Sequence, residues 1–317
     1  PSKLINQQSI ENAIRCIHAI GGSTNSIIHL IAIAGRVGIK LPLQLFDDLA
    51  KTTPFILNLK PSGKYLMEDF YYAGGVPAMM QRISHLLHLD AETITGKSLG
   101  DNIIGGFVHN DDIIRSVDNA LDPEGGLAVL KGNLAPTGAI IKPTAASSEL
   151  MVHKGKAVVF EDHDDLAARI DDPDLDVSPE DVLVMKNSGP VGAPGIPEWG
   201  FLPIPKKILA TGIRDMVRLS DARMSGTAFG TVVVHVTPES ANGGPLSAVR
   251  NGDMIEIDVP NRKLNLLISE DEMNSRVSEK IYEGPQFKRG FKWLHARHIL
   301  QADLGCDFDF LLHENLQ

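Results

Sequence analysis

Val217-Arg218-Leu219-Ser220-Asp221-Ala222-Arg223-Met224-Ser225-Gly226-Thr227-Ala228-Phe229-Gly230-Thr231-Val232-Val233-Val234-His235-Val236 sets the pattern of the chain. Two short β-rich runs, Val217–Leu219 and Thr231–Val236, bracket a segment too polar and glycine-containing for a core strand. That segment places one hydroxyl, Ser225, directly before a glycine. About 25 residues upstream, Gly189-Pro190-Val191-Gly192-Ala193-Pro194-Gly195-Ile196-Pro197-Glu198-Trp199-Gly200 reads as a stiff Pro/Gly loop that delivers a single carboxylate.

Working outward, short β-rich runs dominate after Gly96: Leu127–Leu130, Ala139–Ile141, Ala157–Phe160, Val182–Met185, Met254–Val259 and Leu264–Ile268. Helical patterns interrupt them at Asp164–Ile170, Lys206–Thr211 and Glu270–Lys280. Many short strands with a few helices predict a closed or nearly closed β-barrel with peripheral helices. Before Gly96 the texture is helical. Ser9 is expected to cap a helix through Ile10, Ala13, Ile14 and Ile17, ended by Gly21-Gly22. Ser23 or Thr24 opens a second helix, closed near Gly35 to Gly38, and Leu43–Thr52 forms a third. Phe55–Leu59 reads as a strand, and Pro77 as the first residue of a helix over Ala78–Leu87. The spacing predicts an α/β chain with a helix-rich region, 1–96, and a barrel region, 97–317.

Composition limits the function classes. Acidic residues outnumber basic ones, 40 to 30, over 317 residues, which argues against a nucleic-acid-binding face. No apolar run approaches a membrane span. Two widely separated cysteines, Cys16 and Cys306, form no disulfide framework and fit a reducing cytoplasm. The chain opens on Pro1 and enters a helical pattern almost at once, as expected of a chain that begins inside a larger fold.

The order of Gly21-Gly22-Ser23-Thr24-Asn25, Leu66-Met67-Glu68-Asp69, Gly132-Asn133-Leu134-Ala135-Pro136, the Pro197-Glu198 loop and the Ser220–Gly230 segment resembles the iron–sulfur dehydratases. That family includes dihydroxy-acid, phosphogluconate and sugar-acid (aldonate) dehydratases. The resemblance runs from near Pro1 to Gln301-Ala302-Asp303 and Asp307-Phe308-Asp309-Phe310. Glu68 to Gly75, Pro197-Glu198-Trp199-Gly200, and Ala222, Met224 and Thr227 look most like the sugar-acid branch. Arg223, Ser225 and Gly226 serve both branches.

The resemblance implies the tail of a catalytic α/β domain followed by a swivelling-type barrel, in a homo-oligomer acting on a small hydroxy acid. It implies dehydration of a 2,3-dihydroxy acid to a 2-keto-3-deoxy acid, with Mg2+ and an iron–sulfur cluster, expected to be 2Fe-2S. Lowering the pKa of a metal-bound water from about 15.7 to about 7 corresponds to roughly 12 kcal/mol, whereas one positioned base gives only ~10² to 10⁴-fold. Metals therefore carry the larger share of such a reaction.

The family's cluster cysteines, its modified lysine and most of its magnesium ligands belong to an N-terminal region before the position of Pro1. Neither Cys16 nor Cys306 matches a cluster-ligand motif, so the isolated chain is expected to be inactive. Glu198 is the expected magnesium ligand; a solvated turn glutamate is the plain alternative. Ser225 is the expected base, needing nearby donors or positive charge to favour its alkoxide; a turn serine is the alternative. Thr227 is expected to bind substrate, as are Arg223, Ser23 and Thr24, although a structural ion pair at Arg223 and simple helix capping at Ser23 and Thr24 account for those residues as well. Glu68 and Asp69 with Lys64 read as a solvated cluster or an interdomain contact, His163 as part of an acidic helix start, and His29 as a satisfied core histidine. The competing identities are a dihydroxy-acid dehydratase of branched-chain amino-acid synthesis and a catalytically silent barrel-bearing module.

Overall fold

The computed structural model describes residues 3–279 and 287–316. The chain divides into two compact units, Pro1–Ala128 with Leu312–Gln317, and Val129–Leu311.

The first unit is helical: α1 (Gln7–Ile20), α2 (Asn25–Arg36), α3 (Leu43–Ala50), α4 (Met67–Tyr72), α5 (Gly75–Arg82) and α6 (Leu99–Ile103). The cap of α1 is Asn6 rather than Ser9. Asn6 Oδ1 accepts the Ser9 N–H at 3.0 Å, while Ser9 Oγ accepts the Asn6 N–H at 3.0 Å, a reciprocal box that starts the helix earlier. Gly21, at φ +59°, ends it in the left-handed conformation, where an added Cβ would lie 2.7 Å from the Phe55 ring.

In α2 the buried stripe is Ile27, Ile28, Ile31 and Ala34. His29 falls on the opposite, exposed face, which corrects its expected place in the core. Phe55–Leu59 forms no full strand; Phe55, Leu57 and Leu59 make single bridges to Asp122, Ile114 and Tyr65 in three separate segments. Helix α5 starts two residues before Pro77 and ends at Arg82. Helix α4 was not foreseen: Phe70 is its one buried residue, so no apolar period marks it. Asp69 Oδ2 accepts the Leu66 N–H at 2.8 Å, so this carboxylate serves the start of α4. Ile56, Leu57, Phe70, Ala78, Met79, Ile83 and Ile114 form the core of the unit.

The second unit is a closed eight-stranded barrel, ordered β1-β2-β6-β5-β4-β3-β7-β8. Its strands are β1 (Ala128–Gly132), β2 (Ala135–Ile141), β3 (Val152–Phe160), β4 (Val182–Met185), β5 (Arg218–Ser220), β6 (Val232–Thr237), β7 (Met254–Asp258) and β8 (Lys263–Leu266). The run β3-β4-β5-β6 is parallel, while β2/β6, β3/β7 and β7/β8 are antiparallel. Every residue of β4, β5 and β6 is buried, as expected of parallel strands covered on both sides. Helices α7 (His163–Arg169), α8 (Lys206–Ala210), α9 (Glu270–Glu279) and α10 (Phe291–His298) complete the unit. Leu166 of α7 and Ile208 of α8 pack with Phe160, Leu183, Met185 and Met216 outside the barrel wall. The expected end of α9 at Lys280 lies outside the described residues. Helix α10 was not foreseen, because His295 is its one buried residue.

Candidate active site

The barrel places the serine segment between two parallel neighbours. β5 and β6 pair with Arg218 opposite Val232 and Leu219 opposite Val233, and residues 221–231 connect them. The end of this connection is fixed by charge. Arg218 is 1% exposed, and its Nη2 lies 2.8 Å from Asp215 Oδ1. Asp215 also accepts the Thr231 N–H at 2.9 Å, the Thr231 hydroxyl at 2.8 Å and the Ser147 N–H at 3.2 Å. Burial pushes the Asp215 pKa up, but the Thr231 and Ser147 hydrogen bonds and the Arg218 charge outweigh it and hold the carboxylate below its ordinary range. Gly230 is required at the junction: at φ +118°, a Cβ there would sit 1.8 Å from Arg218 Nη2.

The start of the connection is fixed differently. Asp221 is 1% exposed and accepts the N–H groups of Ser188 and Ser240, each at 2.9 Å. Burial raises its pKa despite those bonds.

Between these roots, Ser225 is half-buried and Thr227 exposed. Ser225 Oγ lies 3.0 Å from Thr227 Oγ1, and the Thr227 N–H points to it at 3.4 Å. A hydroxyl with two donor groups in reach is better placed to carry negative charge than an isolated one.

The Glu198 loop docks on the same segment. The Gly200 N–H donates to Arg223 O at 2.8 Å, and Arg223 Nε donates to Ile196 O. Arg223 Nη1 stands 4.0 Å from Glu198 Oε1, with the Glu198 side chain 41% exposed. Only glycine fits at 200, where a Cβ would lie 2.8 Å from Arg223 O and 2.9 Å from Val234 Cγ1. Next in the chain, Trp199 stacks on His163 at 4.2 Å and 18°, so the first residue of α7 braces the loop. The N-cap of α7 is Asp162, which accepts the Asp165 N–H at 2.9 Å.

In the second unit Glu198 faces Arg223 and Ser225 meets Thr227, and the Gly200–Arg223 hydrogen bond joins the two segments. Ser23 and Thr24 belong to the first unit, where Ser23 Oγ accepts the Asn25 N–H at 3.2 Å and Thr24 is 1% exposed. Thr24 is the N-cap of α2 but makes no side-chain capping bond. Sequence reasoning missed the supporting residues. Asp221 stood within the quoted segment as one acid among several polar residues. Glu239, Asp215 and the His163–Trp199 stack carried no local pattern.

The metal chemistry meets an uneven fit. Glu198 offers a hard, solvent-reachable carboxylate on a restrained loop, suited to one position of a magnesium octahedron. The thiols do not suit a cluster. Burial pushes the Cys16 pKa up to about 12, and burial with the Glu239 charge pushes that of Cys306 up as well, which disfavours the thiolate a metal needs. Cys16 lies in the first unit and Cys306 in the second. Among the described residues no group of three or more His, Cys, Asp and Glu side chains is placed to hold a metal ion.

Fold and site together define a two-unit α/β protein whose closed barrel carries a carboxylate loop against a hydroxyl loop. The chain belongs to the dihydroxy-acid/6-phosphogluconate dehydratase family: residues 112–306 match the C-terminal model of that family and residues 1–102 its N-terminal model. It is 53% identical to the L-arabinonate dehydratase of Rhizobium leguminosarum bv. trifolii over 98% of this chain and 54% of that protein. Identity to the 6-deoxy-6-sulfo-D-gluconate dehydratase of Pseudomonas putida is 48%, over 98% of this chain and 54% of the relative. Identity to the dihydroxy-acid dehydratase of Acetivibrio thermocellus is 38%, over 96% and 55%. The chain spans about half the length of the curated relatives it matches. Among the described residues no helix is long and apolar enough to cross a membrane.

Proposed function

We propose that this chain works as the C-terminal part of a hydro-lyase that converts a sugar acid (aldonate) to its 2-keto-3-deoxy acid. The observation that carries the reading is the hydrogen-bonded docking of the Glu198 loop on the Ser225 segment, through Gly200 N–H to Arg223 O at 2.8 Å. The higher identity to sugar-acid dehydratases than to the dihydroxy-acid enzyme favours the aldonate over a branched dihydroxy acid.

Glu198 is one magnesium ligand in this reading. Glu198 would hold a magnesium ion there, which would supply Lewis-acid stabilisation of the charge that develops when C2 loses its proton. Ser225 Oγ, as the alkoxide stabilised by the Thr227 hydroxyl and N–H, takes that proton as the base. The C2–C3 double bond forms as the C3–OH bond breaks, the hydroxide leaves as water with the proton Ser225 took, and the enol tautomerises to the 2-keto-3-deoxy acid. Arg223 orients the Glu198 carboxylate from one side and remains available to a substrate carboxylate. Gly226 lets substrate approach the backbone beside the base. Thr227, exposed next to Ser225, binds the substrate; Ser23 and Thr24, with Thr24 buried at 1% exposure, serve the start of α2 in the first unit. The iron–sulfur cluster is proposed as a cofactor of the whole enzyme, held by residues other than Cys16 and Cys306.

The assembly is proposed as a homo-oligomer in the cytoplasm, where two free thiols stay reduced. Leu66, Met67, Tyr71, Tyr72, Ile104 and Phe107 of the first unit support the oligomer, each more than half exposed.

The test is turnover by the complete enzyme. Aldonates are expected to be dehydrated in preference to a 2,3-dihydroxy branched acid. Ser225→Ala is expected to lower kcat by ~10² to 10⁴-fold while leaving the unfolding free energy within ~0.5 kcal/mol. Preference for the branched acid would transfer the reading to the dihydroxy-acid branch, and full activity without the hydroxyl would remove Ser225 as the base.

A further inference from the structure

Beneath the Glu198 loop lies a carboxylate that the proposed reaction does not use. Glu239 follows β6 and is 1% exposed. Its Oε1 and Oε2 accept the Val191 N–H at 2.8 and 3.0 Å, and Oε2 accepts the Gly192 N–H at 3.0 Å. Gln301 donates Nε2 to Oε1 at 2.6 Å and accepts the Glu239 N–H at 2.9 Å. Beside it, Asp221 accepts the Ser188 N–H. The root of the Gly189–Gly200 loop therefore hands three backbone N–H groups to two buried carboxylates, as an anion-binding nest does to a bound anion.

Two glycines make the fit possible. A Cβ at Gly189 would lie 2.6 Å from Glu239 Oε2, and one at Gly192 would lie 2.5 Å from Asn187 O. Asp221 also roots the Ser225 segment, so the two carboxylates tie both loops to the end of the barrel.

We propose that Glu239 is the positioning residue of the Glu198 loop, holding the Val191–Gly192 amides so that Glu198 is presented beside Ser225. The importance of what the loop carries rests on the function proposed above; the latch itself does not. The ionisable groups facing Glu239 are Asp221 from the start of the serine segment and Cys306 from the C-terminal stretch, and Arg223 and Asp303 in turn face Cys306. Burial, and then the Asp221 charge, raise the Glu239 pKa to about 7. Loop opening lets water reach the carboxyl and returns its pKa toward 4.5, the ordinary value. The closed loop is the form with the raised pKa, so protons favour closure. Closure is tightest below the ordinary carboxyl pKa and loosens as pH rises to about 7.

Hydrogen exchange of the full chain, read peptide by peptide with no metal or substrate present, tests this. Glu239→Gln replaces one acceptor oxygen with an NH2 that cannot accept at all, whereas a protonated carboxyl keeps lone pairs on both oxygens. The substitution is expected to speed exchange in 188–200 by at least tenfold, with β4 and β6 unchanged. After correction for intrinsic exchange rates, wild-type residues 188–193 are expected to open more readily from pH 5 to 7, and the variant is expected to lose that dependence there; the His295 ring accepts the Gly195 N–H at 3.2 Å, so its own protonation acts on 194–200 in both proteins. A purely structural Glu239 would speed exchange across the whole barrel and leave the pH dependence of the loop in place; that result, or no change in 188–200, overturns the proposal. If Glu239→Gln does not fold, Gln301→Met decides. It keeps the carboxylate while removing the donor to Oε1 and the acceptor of the Glu239 N–H, and a several-fold rise confined to 188–200 is expected, whereas none overturns the latch. Glu198→Gln should leave this exchange pattern intact, so failure of the latch and failure of the magnesium role are read separately.

Discussion

The serine segment is rooted at its two ends by opposite devices. At the Gly230 end a buried carboxylate, Asp215, meets a buried guanidinium, Arg218, at 2.8 Å. At the Asp221 end two buried carboxylates, Asp221 and Glu239, are satisfied by backbone N–H groups. Burial pushes all three carboxyl pKa values up, and the outcome depends on what faces each group. Thr231, Ser147 and Arg218 bring Asp215 below its ordinary value, while Asp221 and Glu239, with hydrogen-bond donors but no facing cation and with Asp221 repelling Glu239, stay above theirs. One root is locked across the working pH range, and the other responds to it.

The largest expected effect breaks the locked root. Arg218→Met leaves Asp215 buried without its cation and is expected to cost about 3–5 kcal/mol of stability, read by urea unfolding. A loss under ~1 kcal/mol would mean that the Thr231 and Ser147 donors suffice and that the two roots do not differ as described.

The next effect sharpens the contrast through pH. Glu239 has a raised folded pKa, so its contribution to stability is fully present below about pH 4.5 and is lost as pH rises to about 7, by about 3 kcal/mol at most. Asp215 has a lowered pKa, so its contribution is present above the ordinary carboxylate pKa of 3.8 and is lost as pH falls through the folded value. Unfolding free energies measured from pH 4.5 to 7.5 should therefore carry a falling component that Glu239→Gln removes and Asp221→Asn reduces. A slope unchanged by both variants would count against the coupled pair.

The smallest expected effect concerns the brace. His163→Ala removes the ring stacked on Trp199 and is expected to cost about 0.5–1.5 kcal/mol at most. In a Trp293→Phe background Trp199 is the single tryptophan, so a shift in its emission with little change in melting temperature would place the effect in the loop.

Much of the barrel was legible because its strands are short β-branched runs between Gly, Pro and Asp turns; Val182–Met185 was bounded to the residue. Strands that begin at polar or glycine-containing stretches, such as Val152–Phe160, were read late, from Ala157. Helices α4 and α10 escaped because each buries one side chain, which leaves no period to detect. The apolar run of α2 does not reveal which side of the helix is covered, so it does not show that His29 lies outside the buried stripe of Ile27, Ile28, Ile31 and Ala34.

At the site, Glu198 and Ser225 stood out as single chemical groups in unusual loops. Glu239 did not, because two of its partners are backbone amides 47 and 48 residues away, which leave no residue signature, and its side-chain partner Gln301 lies 62 residues away. The ion pair Asp215–Arg218 is only three residues apart, yet its significance depends on burial that spacing does not encode.

The direct test of the carboxylate–hydroxyl site is Mn2+ binding, as a stand-in for magnesium, to the complete enzyme and two variants, followed by paramagnetic resonance. Glu198→Gln is expected to weaken binding at least tenfold while Ser225→Ala leaves it unchanged. Wild-type affinity in Glu198→Gln would contradict the account, because the loop would then carry no metal to the serine.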